Sequence, residues 1–308
     1  MFFKKSNKKN HILNTINDLR PVYIIGSSSL ALYLGAKLKS AGLNILSITS
    51  KTEEKTFTLK EEYNLQKTIC TLSSTTQIKE EPQLVIIASE AHNLKSNLTL
   101  LSSLRFPDTP ILCFNHIENI KIIRPLLGRN FTQAYFNGYL DISGSTLSAY
   151  SPAPQITITA SPDENKAEIF NNIFQQIEIK TFYENNDILN FWENFAPNAL
   201  GYLLSFSKKH ITEQLNDKET KKNIAKATAE ICKLAANEQI ALSAEDIIKQ
   251  LLITPRNFYF KKDESRQQEA AKLDSFYTLL TDKARTYKCK TPELNLLMRN
   301  NYNKILKK

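Results

Sequence analysis

Four short, almost wholly apolar runs constrain this chain more than any other feature: Val22-Tyr23-Ile24-Ile25, Ile45-Leu46-Ser47-Ile48, Leu84-Val85-Ile86-Ile87 and Ile111-Leu112-Cys113-Phe114. Each has the length of a strand, and continuous apolarity suits strands buried on both faces, as in parallel sheets. Helical patterns separate the runs, and alternating β and α elements predict an α/β domain built on a doubly wound sheet with helices on both sides. The stretch 51–80 is mixed, with a short strand pair expected around 56–59 and 69–72. Further strands are expected at 134–136, 156–159 and 177–180, with a helix over 165–175 and a turn at Pro152-Ala153-Pro154. Beyond Asn185 the pattern is helical: Ile224, Ala227, Ile231 and Leu234 recur at helical spacing, as do Leu273, Phe276, Leu280 and Tyr287. The segment 254–266 breaks it and reads as a loop. These patterns divide the chain into a basic extension (1–20), a first domain (21–183) and an all-helical domain (184–308).

Net charge is +9 over 308 residues, but it sits at the ends. Residues 1–20 carry +4 and residues 283–308 carry +7, leaving a nearly neutral body. No aromatic-interleaved basic patch or DNA-binding motif accompanies these ends, so they read as solubilising tails and nucleic acid is not an expected partner. No apolar run approaches the roughly 20 residues of a membrane span, and the lysine-rich start lacks the apolar core of a signal peptide. A cytoplasmic protein is expected, with no membrane partner. The four cysteines lie far apart and the four histidines show no metal spacing, so no metal site is expected.

The first run passes directly into Gly26-Ser27-Ser28-Ser29-Leu30-Ala31 and then a helix ending near Gly42. Such a turn aims helix N–H groups at a pyrophosphate, so all six residues are candidate cofactor contacts. Against the three-glycine dinucleotide template, Gly26 is kept, Ser28 stands in the second position and Ala31 in the third. A Cβ at position 28 narrows the closest approach, although its hydroxyl could donate to phosphate. A tight turn without a ligand is the alternative. The second run ends in Thr49-Ser50-Lys51, with no acid for a ribose. That favours NADP over NAD, with Ser50 and Lys51 as phosphate contacts, against a plain surface lysine.

The order of these pieces, together with FWENFAPNALGYLLSF, resembles the ketopantoate reductases (2-dehydropantoate 2-reductases) over nearly the whole chain after residue 20. The resemblance implies an N-terminal Rossmann-like sheet and a C-terminal helical domain that carries substrate contacts and could form a homodimer. The family's tryptophan-x-lysine-x-x-x-asparagine pattern is matched by Trp192, Asn194 and Asn198, with the lysine replaced. Its Thr-Glu-Ile-Asp pattern is matched by Ala271-Lys272-Leu273-Asp274, with the glutamate replaced by Lys272, ahead of Thr291-Pro292. Asn115-His116 keeps the cofactor-facing asparagine of the fourth-strand loop but not the glycine, and Glu90 replaces a lysine after the third strand.

In that family the lysine polarises the ketone oxygen and supplies its proton during hydride transfer. An asparagine can hydrogen-bond an oxyanion but is a poor proton donor. Lys272 is the candidate replacement donor, with Asn194 and Asn198 beside it and Asn198, Tyr202 and Asp274 as candidate substrate contacts. A solvated Lys272 and a helix-packing Asn198 are the plainer alternatives. Three functions stay open: NADPH-dependent reduction of ketopantoate to pantoate in pantothenate biosynthesis, reduction of another small 2-oxoacid, or a catalytically inactive relative that binds nucleotide or a protein partner.

Overall fold

The computed structural model describes residues 20–49, 52–89, 108–114, 131–150, 152–159, 164–184, 187–206, 211–254 and 266–307. They form two compact units that divide near residue 185.

The first unit runs β1 (Val22–Ile25), α1 (Ser29–Ser40), β2 (Ile45–Ile48), β3 (Glu54–Glu61), β4 (Gln66–Thr75), β5 (Leu84–Ile87), β6 (Ile111–Phe114), β7 (Thr132–Asn137), β8 (Leu140–Ser143), β9 (Thr146–Ala149), β10 (Gln155–Thr159), α2 (Glu164–Gln176) and β11 (Lys180–Glu184). The described strands make one sheet in the order β11-β10-β7-β6-β5-β1-β2-β4-β3-β9-β8. Its middle, from β7 to β4, is parallel throughout. That order, with the chain switching direction between β1 and β5, is the doubly wound order of dinucleotide-binding sheets. The four apolar runs are β1, β2, β5 and β6. Alternate residues serve opposite faces: Val22 and Ile24 join α1 and α2 in one core, while Tyr23 and Ile25 join Val85 and Ile87 in another.

The edges depart from expectation in two places. Residues 177–179 are not strand: Ile177 and Ile179 are buried anchors just after α2, separated by Glu178 at φ 58°. The Ile179 N–H closes on Phe174 O at 3.0 Å, so β11 starts only at Lys180. A hairpin that the pattern did not suggest, β8–β9, turns at Gly144 and pairs β9 in parallel with β3. The strand pair expected near 56–59 and 69–72 is a longer hairpin, paired from Glu54↔Ser73 to Glu61↔Gln66.

The second unit contains, among the described residues, only helices: α3 (Asp187–Ser205), α4 (Ile211–Asn216), α5 (Lys218–Ala236), α6 (Ala244–Ile253), α7 (Arg266–Thr286) and α8 (Pro292–Lys307). Local chemistry sets the ends. Asp217 and Ser243 cap α5 and α6 by accepting from Thr220 N and Asp246 N. Thr291-Pro292 opens α8, with proline in the first turn, where no N–H is needed. Glu230 of α5 then accepts the N–H groups of Glu293 and Leu294 at 3.0 and 2.9 Å, closing that helix end. Apolar stripes of α3, α5, α7 and α8 meet in one core, in which Phe191, Trp192, Phe195 and Leu200 of α3 are buried. No described helix is long and apolar enough to cross a membrane.

Candidate functional site

At the C-terminal end of β1 the chain must leave the sheet beside β5, and this crowding dictates the turn. Gly26 has φ +121°, and a Cβ there would stand 2.6 Å from Ala88 O. No other residue meets both demands. The Ile25 carbonyl receives the Ala88 N–H at 2.9 Å and the Ser89 hydroxyl at 3.2 Å, tying the two strand ends together.

Ser28 is the N-cap of α1, with φ −65° and ψ 163°. Its Oγ accepts from Ala31 N at 3.1 Å and donates to Ala88 O at 2.5 Å. The hydroxyl expected as a phosphate donor here directs its proton at a carbonyl. Ser27 is exposed and Ser29 and Leu30 are half-buried. As the first two helical residues, Ser29 and Leu30 have N–H groups without an acceptor inside the helix. Ala31 is buried against the sheet and fills the helix-packing position. The turn thus presents the N–H groups of the first two helical residues and the positive end of the helix dipole, while the third N–H, on Ala31, is occupied by Ser28 Oγ. Ser50, Lys51 and Asn115 lie outside the described residues, as do Glu90 and His116.

In the second unit, α3 carries Asn190, Asn194, Asn198 and Tyr202 at intervals of four, so they share one stripe. Asn194 Nδ2 donates to Asn190 O at 2.9 Å and Asn198 Nδ2 to Asn194 O at 2.8 Å. Each half-buried amide is thus partly spent on its own helix. Pro197 lies between them and cannot supply the N–H bond to the preceding turn. The Tyr202 ring packs on Phe276 of α7 at 5.5 Å, and Phe195 packs on Phe276 at 5.7 Å. Further along, Lys283 of α7 lies over Phe191 and Trp192 at 5.0 and 5.1 Å.

These contacts set α3 and α7 antiparallel. Position 272 therefore falls level with Tyr202, about one helical turn from the level of Asn198 and more than two turns from Asn194. The backbone register groups 272 with Asn198 and Tyr202 and separates it from Asn194. Leu273 is buried, while Asp274 is exposed.

Trp192, the matched tryptophan, has a role the sequence did not signal. It is fully buried, and its indole Nε1 donates to Glu238 at 2.7 Å. Lys283 Nζ and the Tyr287 hydroxyl meet the same carboxylate at 2.6 Å each. Burial alone would push Glu238 up, but the hydrogen bonds from Lys283, Tyr287 and Trp192 outweigh it and hold the carboxyl below the usual range. Neither Glu238 nor Lys283 belongs to a recognisable motif. Among the described residues no cluster of side chains could hold a metal ion.

Solved structures share this architecture. One is D-mandelate dehydrogenase in a ternary complex with NADH and anilino(oxo)acetate, with a TM-score of 0.77 at 17% identity over 92% of this chain and 98% of that one. Dimeric ketopantoate reductase from Staphylococcus aureus gives 0.75 at 16% identity, covering 93% and 99%. A 2-dehydropantoate 2-reductase from Geobacter metallireducens gives 0.72 at 14%, covering 92% and 99%. The fold is that of the ketopantoate reductases. No protein-family model matches the sequence, and no curated protein matches it either. The resemblance read from Gly26, Trp192, Asn198 and Thr291-Pro292 is therefore matched by the fold, at an identity low enough that substrate and cofactor have to be argued from the residues.

Proposed function

We propose that this chain is a nicotinamide-dinucleotide-dependent oxidoreductase that reduces a small 2-oxoacid, with NADPH as the reductant and 2-dehydropantoate as the first substrate to test. The observation that carries this reading is the Gly26–Ala31 turn at the switch point between β1 and β5, where dinucleotides bind in sheets of this order. Ser29 and Leu30 would hold the pyrophosphate through their backbone N–H groups, with Gly26, Ser27 and Ala31 shaping the turn. Ser50 and Lys51 would meet the extra phosphate of NADP, and Asn115 would face the cofactor. The bound nicotinamide supplies a hydride.

The chain's own residues supply the rest. A ketone oxygen that gains a hydride becomes an alkoxide and needs a positive or donating group in a water-poor site. Lys272 fills that role by polarising the oxygen and giving up its proton. Each asparagine amide nitrogen carries two hydrogens, so Asn198 can spend one on its helix and the other on the substrate oxygen. Tyr202 and Asp274 would contact the substrate, Asp274 by accepting from a substrate hydroxyl. Asn194 stands one turn before Asn198 on α3, and its backbone carbonyl accepts from the Asn198 amide and so orients it. The working form is a homodimer joined through the helical unit.

The test is a fluorescence titration with NADPH and with NADH, followed by addition of ketopantoate and other 2-oxoacids to read nicotinamide oxidation. NADPH is expected to bind more tightly than NADH. Lys272→Ala is expected to keep NADPH binding and lower turnover by about 10²- to 10⁴-fold, the range for a lost general acid. A second reading, a catalytically inactive relative, is favoured by the Ser28 hydroxyl already filling part of the turn. Binding without oxidation of any 2-oxoacid would select it, and absence of binding to either nucleotide would overturn the oxidoreductase reading.

A further inference from the structure

We infer that Ser28 is an internal competitor of the dinucleotide pyrophosphate and sets how tightly this chain holds its nucleotide. The inference rests on the dinucleotide reading above and concerns one side chain. The first three N–H groups of α1 are the donors that a phosphate oxygen would use. The third, on Ala31, is taken by Ser28 Oγ at 3.1 Å. The same hydroxyl directs its proton to Ala88 O at 2.5 Å. With donor and acceptor both engaged, the oxygen presents only a lone pair outward, and a phosphate also presents lone pairs. Two acceptors facing each other repel, so the incoming anion loses one donor and meets an unfavourable neighbour. Ser28 does inside the protein part of what the ligand would do.

The backbone does not require serine here. At φ −65° and ψ 163° any residue fits. The shape of the turn comes from Gly26, with φ +121° and its contact with Ala88. Removing the Ser28 side chain therefore leaves the strand-to-helix path in place. It also removes the Cβ at the closest approach and frees the Ala31 N–H. Replacing a serine cap with glycine weakens a helix end only slightly, whereas alanine weakens it more.

The experiment compares wild type, Ser28→Ala and Ser28→Gly in the full chain. Backbone amide resonances of Ser29, Leu30 and Ala31 are followed during titration with NADPH and, separately, with inorganic pyrophosphate. Without ligand, the Ala31 amide is expected to exchange slowly in wild type and faster in both variants. NADPH is expected to bind Ser28→Gly about fivefold more tightly than wild type, about the worth of one cap hydrogen bond. Ser28→Ala should fall between them, because it frees the donor but keeps the Cβ. A cap with a purely structural role predicts the reverse, with equal or weaker binding in both variants, and that result overturns the proposal. If NADPH binds none of the three, the dinucleotide reading fails by itself. Inorganic pyrophosphate then decides the Ser28 inference: tighter binding to Ser28→Gly supports it, and no difference from wild type overturns it.

Discussion

Each unit sets a glutamate, buried Glu61 in the first and half-buried Glu238 in the second, against a lysine and at least one tyrosine, and the two clusters differ in how much survives if that glutamate is removed. In the first unit Glu61 meets Lys37 Nζ at 3.1 Å, the Tyr33 hydroxyl at 3.4 Å and the Tyr63 hydroxyl. Tyr33 and Lys37 are one turn apart on α1, and Tyr63 follows Glu61 by two residues. The two phenols also bond each other at 3.1 Å; burial first, then Tyr63 and Glu61, pushes Tyr33 above the ordinary tyrosine value, while Tyr63 is pushed up by burial first and then Glu61, with its bond to Tyr33 acting the other way. In the second unit the donors to Glu238 come from α3, α7 and the turn after α7, and all converge on one carboxylate. The first cluster fastens a hairpin to a helix beside it. The second joins residues 46 and 45 positions away from Glu238, so it fixes the relative placement of whole helices.

This contrast orders the expected losses. Glu238→Ala strands Lys283, whose side chain is 12% exposed, and removes the acceptor for Trp192 and Tyr287. About 3 kcal/mol of stability should be lost, read as a lower urea midpoint. Glu61→Ala also strands a lysine, Lys37, whose side chain is 15% exposed, but should lose less, about 2 kcal/mol, because Tyr33 and Tyr63 keep each other as partners. If Glu61→Ala proves the costlier change, the distinction between a shared and a single-point cluster collapses. The smallest effect is on pH. Glu238 is held below its ordinary value, so its contribution is full above about 4.3 and is lost as pH falls through the folded-state value. Acid titration of wild type against Glu238→Gln should show a stability gap at neutral pH that closes on acidification. A gap that widens instead would contradict the depressed pKa.

The parts of the fold that the sequence revealed are those in which neighbouring residues carry the information. The four apolar runs are legible as strands because each is short and almost wholly apolar, which suits a strand buried on both faces. The turn at Gly26 was readable because strand, glycine and helix follow one another. Ile177 and Ile179 misled because alternation arises equally from a strand and from a helix exit in which Glu178 adopts a left-handed backbone. The β8–β9 hairpin was hidden because Leu140–Ser143 and Thr146–Ala149 are short and half polar. Long-range pairings left no local mark. Ser28 and Ala88 are 60 residues apart, and Trp192 and Glu238 are 46 apart. Asn194 and Asn198 drew attention as substrate donors, yet their spacing of four is also what lets each amide turn back onto its own helix.

Gly26 has a consequence for anyone reading relatives of this chain. The strain and the contact with Ala88 that demand glycine both arise inside the protein. In a saturation library selected only for folding, position 26 would keep glycine whether or not a nucleotide ever arrived. Retention of that glycine along a lineage therefore records the architecture, and the record of ligand use has to be sought at position 28, where the backbone conformation demands no one residue and only a helix cap is at stake.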